Sequence, residues 1–131
     1  KHNRSINRHQ WDFEEIIDQL QDTASQHART YQQLAALIAI RREQSAFHPN
    51  ATQFTLHMGE QIFGFWRQSR DRKQSIFCVY NISPEPQSLL LSDLNLIVTD
   101  EWRDLINEQT YQQSDQLLKI EPYQFLWITN T

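Results

Sequence analysis

The spacing of apolar residues changes once along the chain, close to residue 50. Before that point, apolar residues recur every three to four positions, as on one face of an amphipathic helix. Beyond it, they alternate with polar residues, as in strands that are buried on one side. The pattern therefore predicts an α+β fragment, with a helical pair in residues 1–50 and an all-β antiparallel sandwich in residues 51–131.

Four apolar residues with the i, i+3, i+4, i+7 spacing of one helix face predict the first helix: Phe13, Ile16, Ile17 and Leu20. Asp12 comes directly before this run and is a natural N-cap. Glu15 then stands at the third helical position, where it can reach back to the free amides, and Trp11 can pack on Ile16 as a hydrophobic staple. The first helix should therefore begin just after Asp12.

A second helix should begin near Thr23 or Ser25. It carries a broad apolar stripe formed by Tyr31, Leu34, Leu37 and Ile38. A stripe this wide is expected to face a large neighbour rather than water. Pro49 cannot continue a helix, since its ring removes a backbone donor and clashes with the preceding turn. We therefore expect the helical part to end by about Ser45.

The remainder predicts seven or eight strands, enough for two packed sheets. The first runs from residue 52 to the Gly59–Glu60 turn, and the others cover residues 61–68, 75–82, 87–91, 96–98, 101–106, 116–120 and 123–129. Residues 75–82 are apolar on both faces. This favours a central strand, because only a strand covered on both sides reads as a continuous apolar run.

Composition excludes several classes of function. The 12 basic and 16 acidic residues give a net charge of −4, so the chain lacks the basic surface of a nucleic-acid-binding protein. No apolar run approaches the roughly 20 residues that cross a bilayer. Cys78 has no second cysteine to pair with and lies in an apolar run, which predicts a buried thiol in the reducing cytoplasm.

Candidate chemistry is sparse. The five histidines lack metal-ligand spacing, and neither of the two glycines belongs to a phosphate-binding loop, so the sequence predicts no metal and no cofactor. Trp66 and Trp102 could form a sugar-stacking surface, but tryptophans in a sandwich are more often core residues. The acidic residues near Asp12 suit a helix start. We assign no catalytic residue to the chain.

The opening loop is the exception. Arg4, Asn7, Arg8 and His9 group hydrogen-bonding side chains suited to hydroxyls or anions just before a helix start. A solvated loop that only ties down the helix would have the same composition. The loop begins without an initiator Met, and we expect it to continue the sequence of a longer parent.

Five segments taken together resemble the C-terminal end of sucrose-phosphorylase-like members of the α-amylase superfamily, glycoside hydrolase family 13. They are residues 5–9 (SINRH), 37–42 (LIAIRR), 45–49 (SAFHP), 102–105 (WRDL) and 122–127 (PYQFLW). The resemblance covers essentially the whole chain. It implies the last loop and last helices of a (β/α)₈ barrel, followed by the small antiparallel β domain called domain C.

The same resemblance implies a function for the parent. Such enzymes cleave an α-glucosidic bond with retention through a covalent glucosyl enzyme, and phosphate or water then takes the glucosyl group. Their catalytic carboxylates come from earlier barrel strands, so this fragment should be inactive and should support the rest of the barrel. By the loop match, Arg8 and Asn7 would face the active-site mouth and bind the α-glucoside or phosphate.

A different class of function remains open at this point. The β region could be a non-catalytic carbohydrate-binding or protein-interaction module preceded by a helical hairpin. An exposed row of aromatic residues on one sheet face would favour that alternative. An apolar patch at Tyr31, Leu34 and Ile38 would favour domain C attached to a barrel.

Overall fold

The computed structural model describes residues 9–94, 101–112 and 117–131. The chain divides after Ala39 into two compact units. Helices dominate the first unit, and strands that pair in antiparallel fashion dominate the second. This order confirms the predicted α+β fragment. The domain boundary between residues 50 and 51 stays a prediction.

The first helix begins where the sequence predicts. α1 (Phe13–Gln21) follows Asp12, whose Oδ1 accepts hydrogen bonds from the backbone amides of Glu14 at 3.0 Å and Glu15 at 3.2 Å. The first turn of a helix leaves these amides without backbone partners, and a carboxylate at the N-cap satisfies them. Asp12 thus fixes the start of α1.

The second helix, α2 (Gln26–Glu43), is capped by Ser25. The Ser25 Oγ accepts from the Ala28 amide at 3.0 Å and donates to the Gln19 carbonyl at 2.5 Å. A short 3₁₀ turn at Ser45–Phe47 then ends the helical part. In the part of the chain that the structure describes, no helix is both long and apolar enough to cross a membrane.

Eight strands lie within the described residues. In chain order they are β1 (Thr52–His57), β2 (Ile62–Gln68), β3 (Ser75–Asn81), β4 (Gln87–Leu90), β5 (Trp102–Asp104), β6 (Thr110–Tyr111), β7 (Leu117–Ile120) and β8 (Phe125–Thr129). Six of them form one sheet in the order β1-β2-β3-β8-β5-β6, and β4 pairs with β7 in a second sheet. A short helix, α3 (Leu91–Leu94), follows β4.

The position of β3 confirms the central strand predicted for residues 75–82. β3 lies between β2 and β8 and pairs with both. Phe77 and Val79 enter the main core, whereas Ile76 and Cys78 alternate with them on the opposite face, and all four side chains are buried. A strand covered on both faces has no polar side to alternate with, which explains its continuous apolar sequence.

The main core lies between the two sheets. It consists of Ile62, Phe77, Val79, Leu89, Leu91, Leu94, Trp102, Tyr111, Leu118, Ile120, Leu126 and Ile128. Because strands of both sheets contribute, the predicted two-sheet sandwich is confirmed. Trp66 packs against this core and stacks on Phe77, with ring centroids 5.6 Å apart. Trp66 and Trp102 are therefore core residues, as the sequence favours, and not a sugar-stacking pair.

The strand predictions differ from the structure at the short elements. The two-residue strand β6 is not predicted, and the predicted strand at residues 96–98 lies outside the described residues. The last strand begins at Phe125 rather than at Tyr123. The reason is a tight turn, in which Tyr123 has a φ of 59° and the Gln124 amide donates to the Glu121 carbonyl at 3.0 Å.

Candidate functional site

The predicted substrate-binding residues Asn7 and Arg8 lie outside the described residues, as does Arg4. Of the opening loop, the structure describes only the end, beginning at His9. The His9 ring meets the edge of Trp11 with centroids 4.7 Å apart, and Trp11 meets His27 of α2 at 5.1 Å. The binding role of Asn7 and Arg8 stays a prediction, and the described end of the loop is held by Trp11.

Trp11 also borders a hollow in the helical unit. The hollow has a volume of about 420 Å³ and is lined by Trp11, Ile16, Leu20, Gln26, His27, Thr30, Tyr31 and Leu34. None of these side chains is a carboxylate, so the hollow lacks the pair of carboxyl groups that glycoside hydrolysis uses. Trp11 and Ile16 share this lining, which agrees with the staple predicted for α1.

The apolar stripe of α2 is exposed. Tyr31, Leu34 and Ile38 have 61%, 56% and 47% of their side-chain surface open to solvent. A helix in a complete soluble protein normally turns such a stripe toward the core. An apolar patch at these three residues is the feature expected of domain C attached to a barrel.

The larger sheet carries a second set of aromatic rings on the face opposite the main core. We call it the aromatic face, and its members are Phe63, Phe65, Tyr80, Phe125 and Trp127 of the sheet, together with Phe47 of the 3₁₀ turn, which contacts Trp127. The rings contact one another in succession, with centroids 4.9 to 6.1 Å apart. Only Phe63 among them is an exposed residue, at 50%. An exposed row of aromatic residues would favour a carbohydrate-binding or protein-interaction module, and this face has one such exposed ring.

Arg67 of β2 holds the segment that follows α2. Its Nε donates to the Ala46 carbonyl at 3.1 Å, and its Nη2 donates to the His48 carbonyl at 2.7 Å. Nη1 reaches the Gln53 Oε1 at 3.3 Å. The two contacts with Ala46 and His48 fix the course of this segment, which we call the join (residues 44–49), and the third ties Arg67 to β1.

Gln74 holds the same segment from the turn between β2 and β3. Its Oε1 accepts from the Ala46 amide at 2.9 Å and from the Ser45 Oγ at 3.1 Å, while its Nε2 donates to the Gln44 Oε1 at 2.8 Å. Sequence reasoning missed both Arg67 and Gln74. Their partners are backbone and side-chain groups of segments distant in sequence, and hydrophobic periodicity does not indicate such contacts.

Burial raises the pKa of titratable groups among the strands, including Cys78, Asp104 and Tyr111. Burial raises the pKa of the Cys78 thiol to about 12, so Cys78 stays protonated and is not a nucleophile. Burial also raises the pKa of Asp104, although its Oδ1 accepts from the Trp127 amide at 2.9 Å. The pKa of Tyr111 is raised by burial and by the nearby Asp104 charge.

A metal site is also absent from the described ranges: no three His, Cys, Asp or Glu residues there lie close enough to bind an ion. The described residues thus contain a structural join, an exposed helical stripe and an aromatic face, but no catalytic constellation.

Comparison with known proteins identifies related sequences. A family described as Maltogenic Amylase, C-terminal domain, matches residues 52–127. A glucosylglycerate phosphorylase of Spirochaeta thermophila is 26% identical over 97% of this chain and 23% of its own length. A protein of the same name from Allomeiothermus silvanus is 30% identical over 95% of this chain and 20% of its own length. The chain therefore spans only about a fifth of these relatives.

Solved structures support the fold. The crystal structure of AmyP in complex with maltose superposes with a TM-score of 0.69 at 10% sequence identity, covering 80% of this chain and 21% of that one. A putative alpha-N-acetylgalactosaminidase from Bacillus halodurans superposes with a TM-score of 0.52, also at 10% identity, over 64% of this chain and 21% of that one. At such low identity, the likeness concerns the fold alone.

Proposed function

The chain belongs to the family of maltogenic amylase C-terminal domains, and we propose that it is the C-terminal portion of a retaining α-glucoside-active enzyme. In this proposal its strands form domain C and its helices are the last helices of the catalytic barrel. The fragment itself is non-catalytic and supports the barrel.

One observation carries the proposal. The relatives match 95–97% of this chain, so the likeness includes the helical unit as well as the residues of the family match. The relatives therefore match the sequence of both the helices and the strands of this chain. Because these relatives are named glucosylglycerate phosphorylases, we further propose that phosphate, rather than water, takes the glucosyl group in the parent.

The exposed stripe of α2 is consistent with a place in a barrel. Burying a large apolar side chain is worth about 1.5–3 kcal/mol, so three exposed ones favour contact with a further layer of protein. Tyr31, Leu34 and Ile38 would meet that layer in the parent. We propose that this layer belongs to the part of the parent that corresponds to the uncovered length of the relatives.

The proposed reaction proceeds in two steps. A carboxylate attacks the anomeric carbon of the glucosyl unit while a carboxylic acid protonates the departing oxygen, which yields a covalent glucosyl enzyme. A phosphate oxygen then attacks the same carbon, the enzyme carboxylate departs, and the conjugate base of the acid takes the phosphate proton. Two inversions retain the α configuration in the glucosyl phosphate. We assign neither carboxylate to this chain.

Within this reaction, Arg8 and Asn7 would act at the acceptor. A guanidinium presents parallel N–H groups that match two oxygens of a phosphate or carboxylate, so Arg8 suits an anionic acceptor better than a neutral one. The Asn7 side-chain amide can donate to and accept from hydroxyl groups. Both residues would bind and orient the acceptor, and neither would transfer a proton.

Product analysis of the parent enzyme tests the proposal. With glucosylglycerate and inorganic phosphate, phosphorus NMR should detect a glucosyl phosphate of α configuration, and the reaction should stop when phosphate is omitted. Release of free glucose at an equal rate without phosphate would contradict phosphorolysis. Failure to turn over glucosylglycerate, sucrose or an aryl α-glucoside would contradict the enzyme class.

The second candidate is a carbohydrate-binding module, and the half-exposed Phe63 on the aromatic face is the observation that favours it. Titration of this chain with glucose oligosaccharides, followed by calorimetry, tests it. Saturable binding that is lost in Phe63→Ser would support the module, whereas no heat of binding would contradict it.

The cytoplasmic location also stays a prediction. It rests on the single cysteine, which is buried and unpaired within the described residues. Fractionation of cells that express the parent would test it, and recovery of the protein outside the cytoplasm would contradict it.

A further inference from the structure

Trp11 lies in a row of three aromatic rings that joins the described end of the opening loop to α2. The His9 ring meets Trp11 with centroids 4.7 Å apart and planes at 79°, and His27 of α2 meets Trp11 at 5.1 Å and 80°. Rings at nearly right angles place the positive edge of one against the negative face of the other, which is a favourable arrangement. Trp11 therefore connects the loop to the second helix.

The start of α1 fixes the position of Trp11. The carbonyl of the N-cap residue Asp12 accepts from the Ile16 amide at 3.1 Å, which sets the direction in which the chain enters the helix. Trp11 and Ile16 line the same hollow, as the two apolar residues of a hydrophobic staple do. The far end of the row is held as well, because the Ser25 hydroxyl donates to the Gln19 carbonyl at 2.5 Å and so ties the start of α2 to α1.

The contacts of Trp11 exceed what the staple needs. A staple requires only apolar surface, so a leucine in place of Trp11 would serve α1 as well. Edge contacts with two imidazole rings require a flat aromatic side chain. Trp11 also leaves 39% of its surface exposed, so packing in the hollow does not account for its size. The additional contact acts on His9, which lies outside the helix.

His9 directly follows Arg8 in the sequence, and consecutive Cα atoms are about 3.8 Å apart. A ring that fixes His9 therefore limits where Arg8 can lie. We propose that Trp11 is a positioning residue for acceptor binding: it holds His9 relative to α2, so that Arg8 reaches the anionic acceptor from a fixed place. This inference rests on the proposed function. In this role Trp11 would touch neither the sugar nor the phosphate.

Loss of the two ring contacts should weaken acceptor binding without slowing the chemical step. When His9 is free to move, Arg8 occupies the binding-competent place for a smaller fraction of the time, and the apparent affinity for phosphate falls by that fraction. Glucosyl transfer to phosphate that has already bound is unaffected, so the KM for phosphate should rise while kcat stays constant. A purely structural role would instead reduce the amount of active enzyme, which lowers the apparent kcat and leaves KM unchanged.

Steady-state kinetics of the full-length parent, with glucosylglycerate and varied inorganic phosphate, test the proposal. Trp11→Leu keeps the staple and loses the ring contacts, so its KM for phosphate should rise at least about fivefold at a kcat within about twofold of wild type. Trp11→Phe keeps an aromatic ring and should recover most of this loss. Phe13→Leu is the matched control, since Phe13 is an exposed aromatic residue of α1 that has no ring contact among the described residues.

His27 allows a second, independent test. His27→Leu removes the other end of the row, so it should also raise the KM for phosphate. The double variant with Trp11→Leu should raise KM little further, because residues that act through one chain of contacts are not additive, whereas independent effects multiply. His27→Leu also carries the test if Trp11→Leu does not yield a folded parent.

Three kinetic results would overturn the positioning role. The first is a phosphate KM that stays at the wild-type value in both Trp11→Leu and His27→Leu. The second is an equal rise in KM for Trp11→Leu and Trp11→Phe, which would show that the aromatic ring is not what matters. The third is a lower kcat with unchanged KM, which would leave Trp11 with a structural role only.

Calorimetric titration of the parent with inorganic phosphate separates this inference from the proposed function, because it requires no turnover. Phosphate binding that Trp11→Leu weakens, in a parent that forms no glucosyl phosphate, would contradict only the proposed function. Phosphate-dependent turnover with equal phosphate KM in wild type and Trp11→Leu would contradict only the positioning role. A parent that neither binds nor uses phosphate would contradict both.

Discussion

At the scale of single residues, Asp104 is a buried carboxyl group that connects two strands. Its side chain is fully buried, its Oδ1 accepts from the Trp127 and Ile106 amides at 2.9 and 3.3 Å, and its Oδ2 has no hydrogen-bond partner among the described residues. Burial raises its pKa because the charged form loses solvation. Asp104 therefore joins β5 to β8 at an electrostatic cost when it is ionised.

The sign of this effect predicts a pH dependence. An unfolded Asp titrates near pH ~3.9, and the folded pKa of Asp104 is higher, so the folded state holds more protons between these two values. The wild type should lose stability as pH rises through that window. Asp104→Asn keeps an acceptor without the charge, so its free energy of unfolding relative to wild type should increase with pH.

Urea unfolding from pH 4 to pH 7 measures the difference, with the exposed Asp93 changed to Asn as the control. The control should not follow the trend of Asp104→Asn. A difference between Asp104→Asn and wild type that is constant with pH would contradict the assigned role.

Arg8 carries the second prediction at this scale. In the parent, Arg8→Ala should lower kcat/KM for phosphate by on the order of tenfold or more, because a bidentate anion contact is lost. Arg8→Lys should recover only part of it, since an ammonium keeps the charge without the planar fork. Arg70→Ala, an exposed arginine of the β unit, is the control. A kcat/KM of Arg8→Ala for phosphate within about twofold of the wild-type value would contradict the role of Arg8 in acceptor binding.

At the scale of elements, the join depends on Arg67. Arg67→Ala removes three hydrogen bonds from a charged donor, two of them to the Ala46 and His48 carbonyls. We expect a loss of about 2–3 kcal/mol in the free energy of unfolding, given the usual contribution of charge-assisted bonds. Urea unfolding checks this against Arg70→Ala, which should change the midpoint little. Equal midpoints for the two variants would show that the join is held by other contacts.

The central strand supplies a second prediction for an element. Val79 is completely buried in β3, so Val79→Asp should destabilise the chain by about 3–5 kcal/mol through an unpaired buried charge. Ser88→Asp, at an exposed position of β4, is the matched control. A thermal midpoint of Val79→Asp equal to that of Ser88→Asp would mean that β3 is not central.

These elements also show what sequence can predict. Asp12 and Ser25 cap amides that lie three residues further along the chain, so the local sequence predicts both caps. The burial of β3 follows from its own apolar composition. Arg67 and Gln74 act across separations of 21 and 28 residues, on backbone groups that the sequence does not mark. The two residues of β6 are too few for any period.

At the scale of the whole molecule, the chain combines units whose exposed apolar surfaces suit a larger protein. The α2 stripe and the aromatic face both leave large side chains in solvent. Soluble monomers rarely expose contiguous apolar patches unless the patches bind something. The fold and family follow from the strand pattern and the sequence segments, whereas the acceptor role of Asn7 and Arg8 rests on resemblance and stays a prediction.

A side-by-side assay of this chain and its full-length parent tests the central claim most directly. Equimolar samples receive glucosylglycerate with and without inorganic phosphate, and glucosyl phosphate is measured over time. The account predicts phosphate-dependent product from the parent and none above buffer background from the isolated chain, because the described residues contain no catalytic pair of carboxylates. Turnover by the isolated chain, or a parent that forms no glucosyl phosphate, would contradict it.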